Sequence, residues 1–177
     1  FTIHMPLKYH EKAFDEKIER PELSVLIVDD DKTACLSTCN CLSEIGLKSD
    51  WVCSGSEAVA ATRKRHKEKE DYFAVIMDLK MPGMSGIETT RQIRSAVGPD
   101  VPIIILSAYD IDEYETDARK AGANGFVAKP LFKSKLLQIL RRFLEKDEVR
   151  QVTEPVKFSE ADHSGKHLLL VEDNDLN

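Results

Sequence analysis

Polar residues able to do chemistry follow directly on apolar runs at four places in this chain. Asp29, Asp30 and Asp31 follow residues 25–28, Asp78 follows 73–77, Ser107 follows 103–106 and Lys129 follows 125–128. Carboxylates packed together raise one another's pKa unless a cation lies among them. An oxygen-lined acidic site with few protein ligands suits Mg²⁺, which prefers octahedral geometry, keeps several waters and is often completed by phosphate oxygens. A carboxylate beside such a metal can act as a nucleophile and form an acyl phosphate. A nearby amine would neutralise charge on the transferring phosphoryl group, and a hydroxyl could donate to one of its oxygens. If these residues converge, the set predicts phosphoryl transfer to a carboxylate.

Convergence depends on the elements that carry them. Short apolar runs alternate with longer amphipathic stretches from residue 25 to about residue 145, the pattern of a parallel sheet covered by helices. Strands are expected at 25–28, 49–53, 73–77, 103–106 and 125–128. Four of these runs are continuously apolar, as strands buried on both faces must be. Residues 49–53 are more polar and suit an edge. Helices are expected from residue 31 or 32 to 45, from Ser54 to about 69, and over 87–96, 112–121 and 134–144. Gly46 can end the first in a left-handed cap. Ser54 with Glu57 forms a capping box for the second. Gly98-Pro99 closes the third, and Leu136, Leu137, Leu140 and Leu144 make one stripe on the last. The expected fold class is α/β, a doubly wound five-stranded parallel sheet. In such a sheet ligands bind outside the carboxyl ends of the strands, which is where the candidate residues sit.

Val28-Asp29-Asp30, Met77-Asp78-Leu79-Lys80-Met81-Pro82-Gly83-Met84-Ser85-Gly86, Leu106-Ser107-Ala108 and Lys129-Pro130 resemble, in order, the motifs of the receiver domain of two-component response regulators. The resemblance implies a flavodoxin-like (βα)5 fold with strand order 2-1-3-4-5. It makes Asp78 the phosphoacceptor, and Asp29 and Asp30, with Asp78 and the backbone carbonyl of Lys80, the ligands of Mg²⁺, for which Mn²⁺ can substitute. Lys129 becomes the phosphate-contacting amine, Ser107 the hydroxyl switch and Phe126 the switch aromatic. Many relatives carry Tyr where this chain has Phe126, so a signal requiring a phenol hydroxyl is absent. The family also implies a cis bond at Lys129-Pro130. Only the register of the resemblance selects Asp29 and Asp30 over Asp31, which reads as a helix N-cap.

Taken singly, each residue has a plainer reading: Ser107 a turn residue, Lys129 a solvated charge, Phe126 core. Their joint placement at four strand ends favours the chemical one. His4, His10, His66, His163 and His167 sit in no autophosphorylation motif, so no catalytic histidine is expected. Cys35, Cys39, Cys41 and Cys53 form no CxxC pair and read as free thiols.

The expected receiver spans residues 23–146, between charged linkers at 8–22 and 147–165. Residues 1–7 resemble the last strand of a histidine-kinase ATPase domain. Residues 166–177 resemble the start of a second receiver, with Glu172 and Asp173 in the places of Asp29 and Asp30. Together these imply a piece of a hybrid sensor histidine kinase with tandem receivers. The implied partners are a histidine-kinase domain as phosphodonor, in the same chain or a dimer partner, and a histidine phosphotransfer domain as acceptor. This segment would then have at most self-phosphotransfer and autophosphatase activity. A phosphorylation-independent interaction module and a stand-alone regulator are the alternatives, with dimerisation left open.

Composition bounds the rest. Twenty-five basic against 31 acidic residues leave a net charge of −6, which argues against a broad nucleic-acid surface. Apolar residues at 42% argue against wholesale disorder. No apolar run approaches the roughly 18 residues that cross a bilayer, so this segment is expected to make no membrane contact. The expected location is the cytoplasm, in a parent chain for which a membrane anchor is compatible.

Overall fold

The computed structural model describes residue 18, residues 20–108 and residues 112–144. Five strands alternate with five helices: β1 (Ser24–Val28), α1 (Lys32–Glu44), β2 (Lys48–Val52), α2 (Gly55–Glu68), β3 (Ala74–Asp78), α3 (Gly86–Val97), β4 (Ile103–Ser107), α4 (Asp112–Ala121), β5 (Gly125–Ala128) and α5 (Lys133–Leu144). The strands form one parallel sheet in the order β2-β1-β3-β4-β5. This is the expected fold class and strand order. No described helix is long and apolar enough to cross a membrane.

Successive strand side chains point to opposite faces, and the cores follow that alternation. Val25 and Ile27 of β1 pack with Cys35 and Leu42 of α1 and Leu136 and Leu140 of α5 on one face. Leu26 and Val28 pack with Ala58 and Val59 of α2 and Ile93 and Val97 of α3 on the other. Every residue of β1 and β4 is buried, which is why both are apolar apart from one terminal serine each, Ser24 and Ser107. β2 lies at the edge with no fully buried residue, as its polarity predicted.

Capping explains where several elements begin and end. Asp31 is the N-cap of α1 and accepts from the Thr33 N–H at 2.8 Å. Gly46 follows α1 at φ +86°, the left-handed conformation expected of it. The Ser54 hydroxyl accepts from the Glu57 N–H at 3.3 Å, and Glu57 reaches back to the Cys53 N–H at 3.1 Å. β2 stops at Val52, one residue before the expected end. β3 and β4 each run one residue further than expected, through Asp78 and Ser107. Pairing with the neighbouring strand persists there: Asp78 registers with Leu106, and Ser107 with Ala128.

One expectation is corrected. The stretch 8–22 is not wholly a solvated linker, because Ile18 is buried at 5% exposure. Its N–H donates to the Ile45 carbonyl at 2.7 Å, and its side chain joins the core beside Leu42 and Leu47. Ile18 stands four residues after Phe14 in a stretch otherwise dominated by charges, too short a pattern to mark a buried segment. The expected strand at 1–7, the linker at 147–165 and the start of a second receiver at 166–177, with Glu172 and Asp173, lie outside the described residues.

Candidate functional site

Parallel strands with helical crossovers all end at the same edge of the sheet, and that edge gathers the predicted residues. Asp29 follows β1 and is 4% exposed, although it is charged. Its Oδ1 accepts from the Asp31 N–H at 3.0 Å, and its Oδ2 accepts from the Lys129 ammonium at 2.7 Å. The same ammonium lies 3.1 Å from Asp78 Oδ1 at the end of β3. Asp30 is exposed beside them. One carboxylate oxygen from each of Asp29, Asp30 and Asp78 lies within 4.8 Å of the others.

Asp31 is engaged as a helix cap, and the carboxylates that lie together are those of Asp29, Asp30 and Asp78. Three carboxylates against one ammonium leave a local excess of negative charge, all of it on hard oxygens. That donor set fits a divalent cation such as Mg²⁺.

Burial pushes the Asp78 carboxyl above the ordinary carboxylate range, and the negative charge of Asp29 adds to this. The hydrogen bond and charge of Lys129 act the other way without fully offsetting it. Burial also works against the charged form of Lys129, but its bonds to Asp29 and Asp78 outweigh that, so its pKa rises. The ammonium therefore stays charged where charge stabilisation is needed.

Ser107 ends β4 at 2% exposure. Phe126 of β5 is half-buried in a small cluster with Leu79, Ile105, Ala118 and Tyr114, and the Arg119 guanidinium lies over its ring at 5.2 Å. Lys80 is two residues past Asp78 and exposed, its ammonium 5.5 Å from the centre of the Tyr114 ring in α4. The Lys129-Pro130 bond is cis. Sequence reasoning assigned nothing to Tyr114 or Arg119. The Glu115 to Arg119 spacing on a helix, which the structure fills with an ion pair, was the available signal.

The remaining candidates behave as bystanders. His66 pairs with Asp71 at 3.0 Å on the surface, and the other four histidines lie outside the described residues. The four cysteines are free. Cys35 is buried, its thiol donates to the Asp29 carbonyl at 3.3 Å, and burial together with the Asp29 charge pushes its pKa up to about 12. It is thus a core thiol rather than a nucleophile.

Residues 25–156 match the family model of the response regulator receiver domain. The chain is 28% identical over 130 residues to an osmosensing histidine protein kinase of Saccharomyces cerevisiae, covering 73% of this chain and 11% of that protein. It is 32% identical over 125 residues to the transcriptional regulatory protein ZraR of Salmonella typhimurium, covering 71% of this chain and 27% of that one. The chain thus spans well under half the length of both. Among solved structures, it resembles the receiver domain of a sensor histidine kinase from Pseudomonas aeruginosa PAO1, crystallised with a magnesium ion coordinated in its active-site cleft. That match has 29% identity and a TM-score of 0.61, and covers 69% of this chain and 97% of the other. A chemotaxis protein of Vibrio cholerae matches at 27% identity and a TM-score of 0.62, over 68% of this chain and 98% of its own.

Proposed function

Because the chain belongs to the response regulator receiver family, we propose that it accepts a phosphoryl group from a phosphohistidine onto Asp78. The observation that carries this reading is the Lys129 ammonium bridging Asp29 and Asp78 within a cluster of three carboxylates. In the reaction a carboxylate oxygen of Asp78 bonds to phosphorus as the bond from phosphorus to the imidazole nitrogen breaks. The electron pair of that bond returns to the ring. The product is an acyl phosphate.

Each neighbour has a part in this scheme. Asp29, Asp30, Asp78 and the Lys80 backbone carbonyl would hold Mg²⁺, with Mn²⁺ as a substitute. The bound ion would neutralise charge on the phosphoryl oxygens. Lys129, already 3.1 Å from Asp78, supplies a second positive charge on the protein side. Ser107 donates its hydroxyl to a phosphoryl oxygen, and Phe126 moves inward with it, changing the surface formed by α4 and β5. To convert a 1:99 population into 99:1, the phosphoryl group must favour the second state by about 5.5 kcal/mol.

We place the domain, residues 23–146, in a hybrid sensor histidine kinase of the cytoplasm, passing the group to a histidine phosphotransfer domain. The likeness of residues 166–177 to a second receiver and the histidine kinases among the relatives support that context. The stand-alone regulators among the relatives support the alternative.

The test is intact-mass analysis after incubation with a small acyl phosphate, with and without Mg²⁺, on the chain and on Asp78→Asn. A single Mg²⁺-dependent phosphoryl adduct, absent in the variant, is expected. No adduct under conditions that label another receiver would replace this reading with a phosphorylation-independent interaction module.

A further inference from the structure

Phe126 of β5 stops half-way into an apolar cluster. It packs against Leu79, Ile105, Ala118 and Ala123, and Ile105 is its register partner on β4. Those four are buried, while Phe126 keeps part of its apolar surface in water. Burying the rest would be favourable in itself. What meets the ring at the rim is a cation. The Arg119 side chain of α4 is 48% exposed, and its guanidinium lies over the ring, 5.2 Å from the centre. Glu115, four residues earlier on the same helix, aims that guanidinium. Its Oε1 accepts from Arg119 Nε at 2.7 Å, and Arg119 Nη2 lies 2.5 Å from the same oxygen. The cation is thus fixed to α4 and the ring to β5, so a ring that swings further into the cluster leaves the cation behind.

Resting on the reading of Asp78 as the acceptor and of Phe126 as the aromatic that moves inward with Ser107, we propose that Arg119, aimed by Glu115, is a positioning residue that holds Phe126 outward in the unmodified protein. A cation over an exposed aromatic face favours the arrangement that keeps it by about two- to fivefold. A ligand that selects the inward state binds with an affinity reduced by the fraction of protein in that state. The lock therefore weakens binding of a phosphoryl mimic by the same factor. An ion pair on α4 sets the resting place of the ring, in a chain whose switch aromatic has no phenol hydroxyl to do so.

The experiment titrates the full chain, with Mg²⁺ present, with beryllofluoride as a phosphoryl mimic. Arg119→Gln should bind the mimic about two- to fivefold more tightly. Arg119→Lys keeps a cation that can sit over the ring and should change less. Glu115→Gln leaves the guanidinium unaimed and should move the affinity in the same direction, by less than Arg119→Gln. In a Phe126→Leu background, adding Arg119→Gln should have little further effect. The Arg119 Nε–H resonance gives an independent readout, because the ring shields a proton above its face. In the wild type it should lie upfield of its position in Phe126→Leu, and should move to that position when the mimic binds.

An equal gain from Arg119→Gln in both backgrounds would mean a general effect of charge and would overturn the lock. An Nε–H resonance that stays shielded while the mimic binds would overturn it too, and in both cases the acceptor reading stands. If beryllofluoride binds none of the proteins and acyl phosphate leaves no adduct, the acceptor reading fails first and takes the lock with it.

Discussion

The Lys129 ammonium donates to Asp29 Oδ2 at 2.7 Å, joining residues 100 positions apart across the carboxyl edge of the sheet. Its side chain is 28% exposed and that of Asp29 only 5%, so the pair is closer to a buried ion pair than to a surface one. Removing one partner of such a pair leaves an uncompensated charge, which is more costly than losing the pair as a whole. Lys129→Met is expected to lower the melting temperature in chelator by about 5 °C, since it strands both Asp29 and Asp78. It should also tighten Mg²⁺ binding about threefold or more, because the ammonium and the metal compete for the same carboxylates. Labelling of Asp78 should nevertheless slow by about tenfold or more, as the phosphoryl group loses a cation. Calorimetric titration with Mg²⁺ separates these effects. Unchanged metal affinity in the variant would show that Lys129 does not share its partners with the ion.

Gly86 opens α3 and donates its N–H to the Leu79 carbonyl at 2.9 Å. A Cβ there would lie 2.3 Å from the carbonyl oxygen of Asp78 and 3.1 Å from the Leu79 Cα. The obstacle is backbone, so no side-chain rotation relieves it. Gly86→Ala should therefore cost about 2 kcal/mol or more of stability. It should also displace Asp78 itself, slowing its labelling more than the lost stability explains. Gly83→Ala gives the contrast, since its Cβ would meet nothing within 4 Å but its φ is +78°. That variant should lose about 1 kcal/mol through backbone strain. Labelling rates measured well below the unfolding transition of each variant decide the point.

The central strands were legible because burial on both faces leaves an unbroken apolar run, and β2 because an edge tolerates polar residues. The run of three aspartates was legible immediately after β1, and only the register of the family resemblance picked Asp29 and Asp30 out of it. Other features left no such trace. Gly86 stands in the motif, but the need for space against the Asp78 carbonyl is a matter of approach distance, which the order of residues does not encode. Ile18 is one of a few scattered apolar residues in a charged stretch, and the end of α1 offers it a hydrogen bond and a place in the core. The Lys80 and Tyr114 contact joins a loop to a helix that begins some thirty positions further on, and no periodicity connects them.

Tyr72 carries a pH dependence well away from the site. Its hydroxyl donates to Asp50 Oδ2 at 3.0 Å, and Asp50 also accepts from Arg65. Burial, then the hydrogen bond to Asp50 and its charge, push the Tyr72 pKa up to about 12. An exposed tyrosine titrates near 10. Below that pH both states hold the proton and Tyr72 adds no slope. Between about pH 10 and 12 the unfolded chain releases the proton while the folded chain keeps it, so stability falls as pH rises. The loss should approach about 2–3 kcal/mol at the upper end. Tyr72→Phe should remove this component, its urea midpoint converging on that of the wild type as pH rises above about 10. Parallel pH profiles for the two proteins would exclude the assignment.

Arg94 binds the opposite edge of the sheet together. Its guanidinium donates to the carbonyls of Gly122 at 2.9 Å, Gly98 at 3.1 Å and Val101 at 2.7 Å, and to Asn124 Oδ1 at 2.6 Å. Asn124 Oδ1 in turn accepts from the Ile103 N–H at 2.8 Å, so the end of α3, the start of β4 and the turn after α4 share one network. Arg94→Met would retain the apolar stem but leave several part-buried acceptors without a donor, at roughly 1–3 kcal/mol for each one that water cannot reach. A total loss of about 2–4 kcal/mol is expected, with Arg94→Lys recovering less than half, because an ammonium cannot reproduce the planar fork. The network lies at the amino ends of the strands, away from Asp78. Both variants should therefore still acquire one Mg²⁺-dependent phosphoryl adduct at temperatures where they are folded. Loss of the adduct in a folded Arg94→Lys would mean that this edge is coupled to the acceptor site through the sheet.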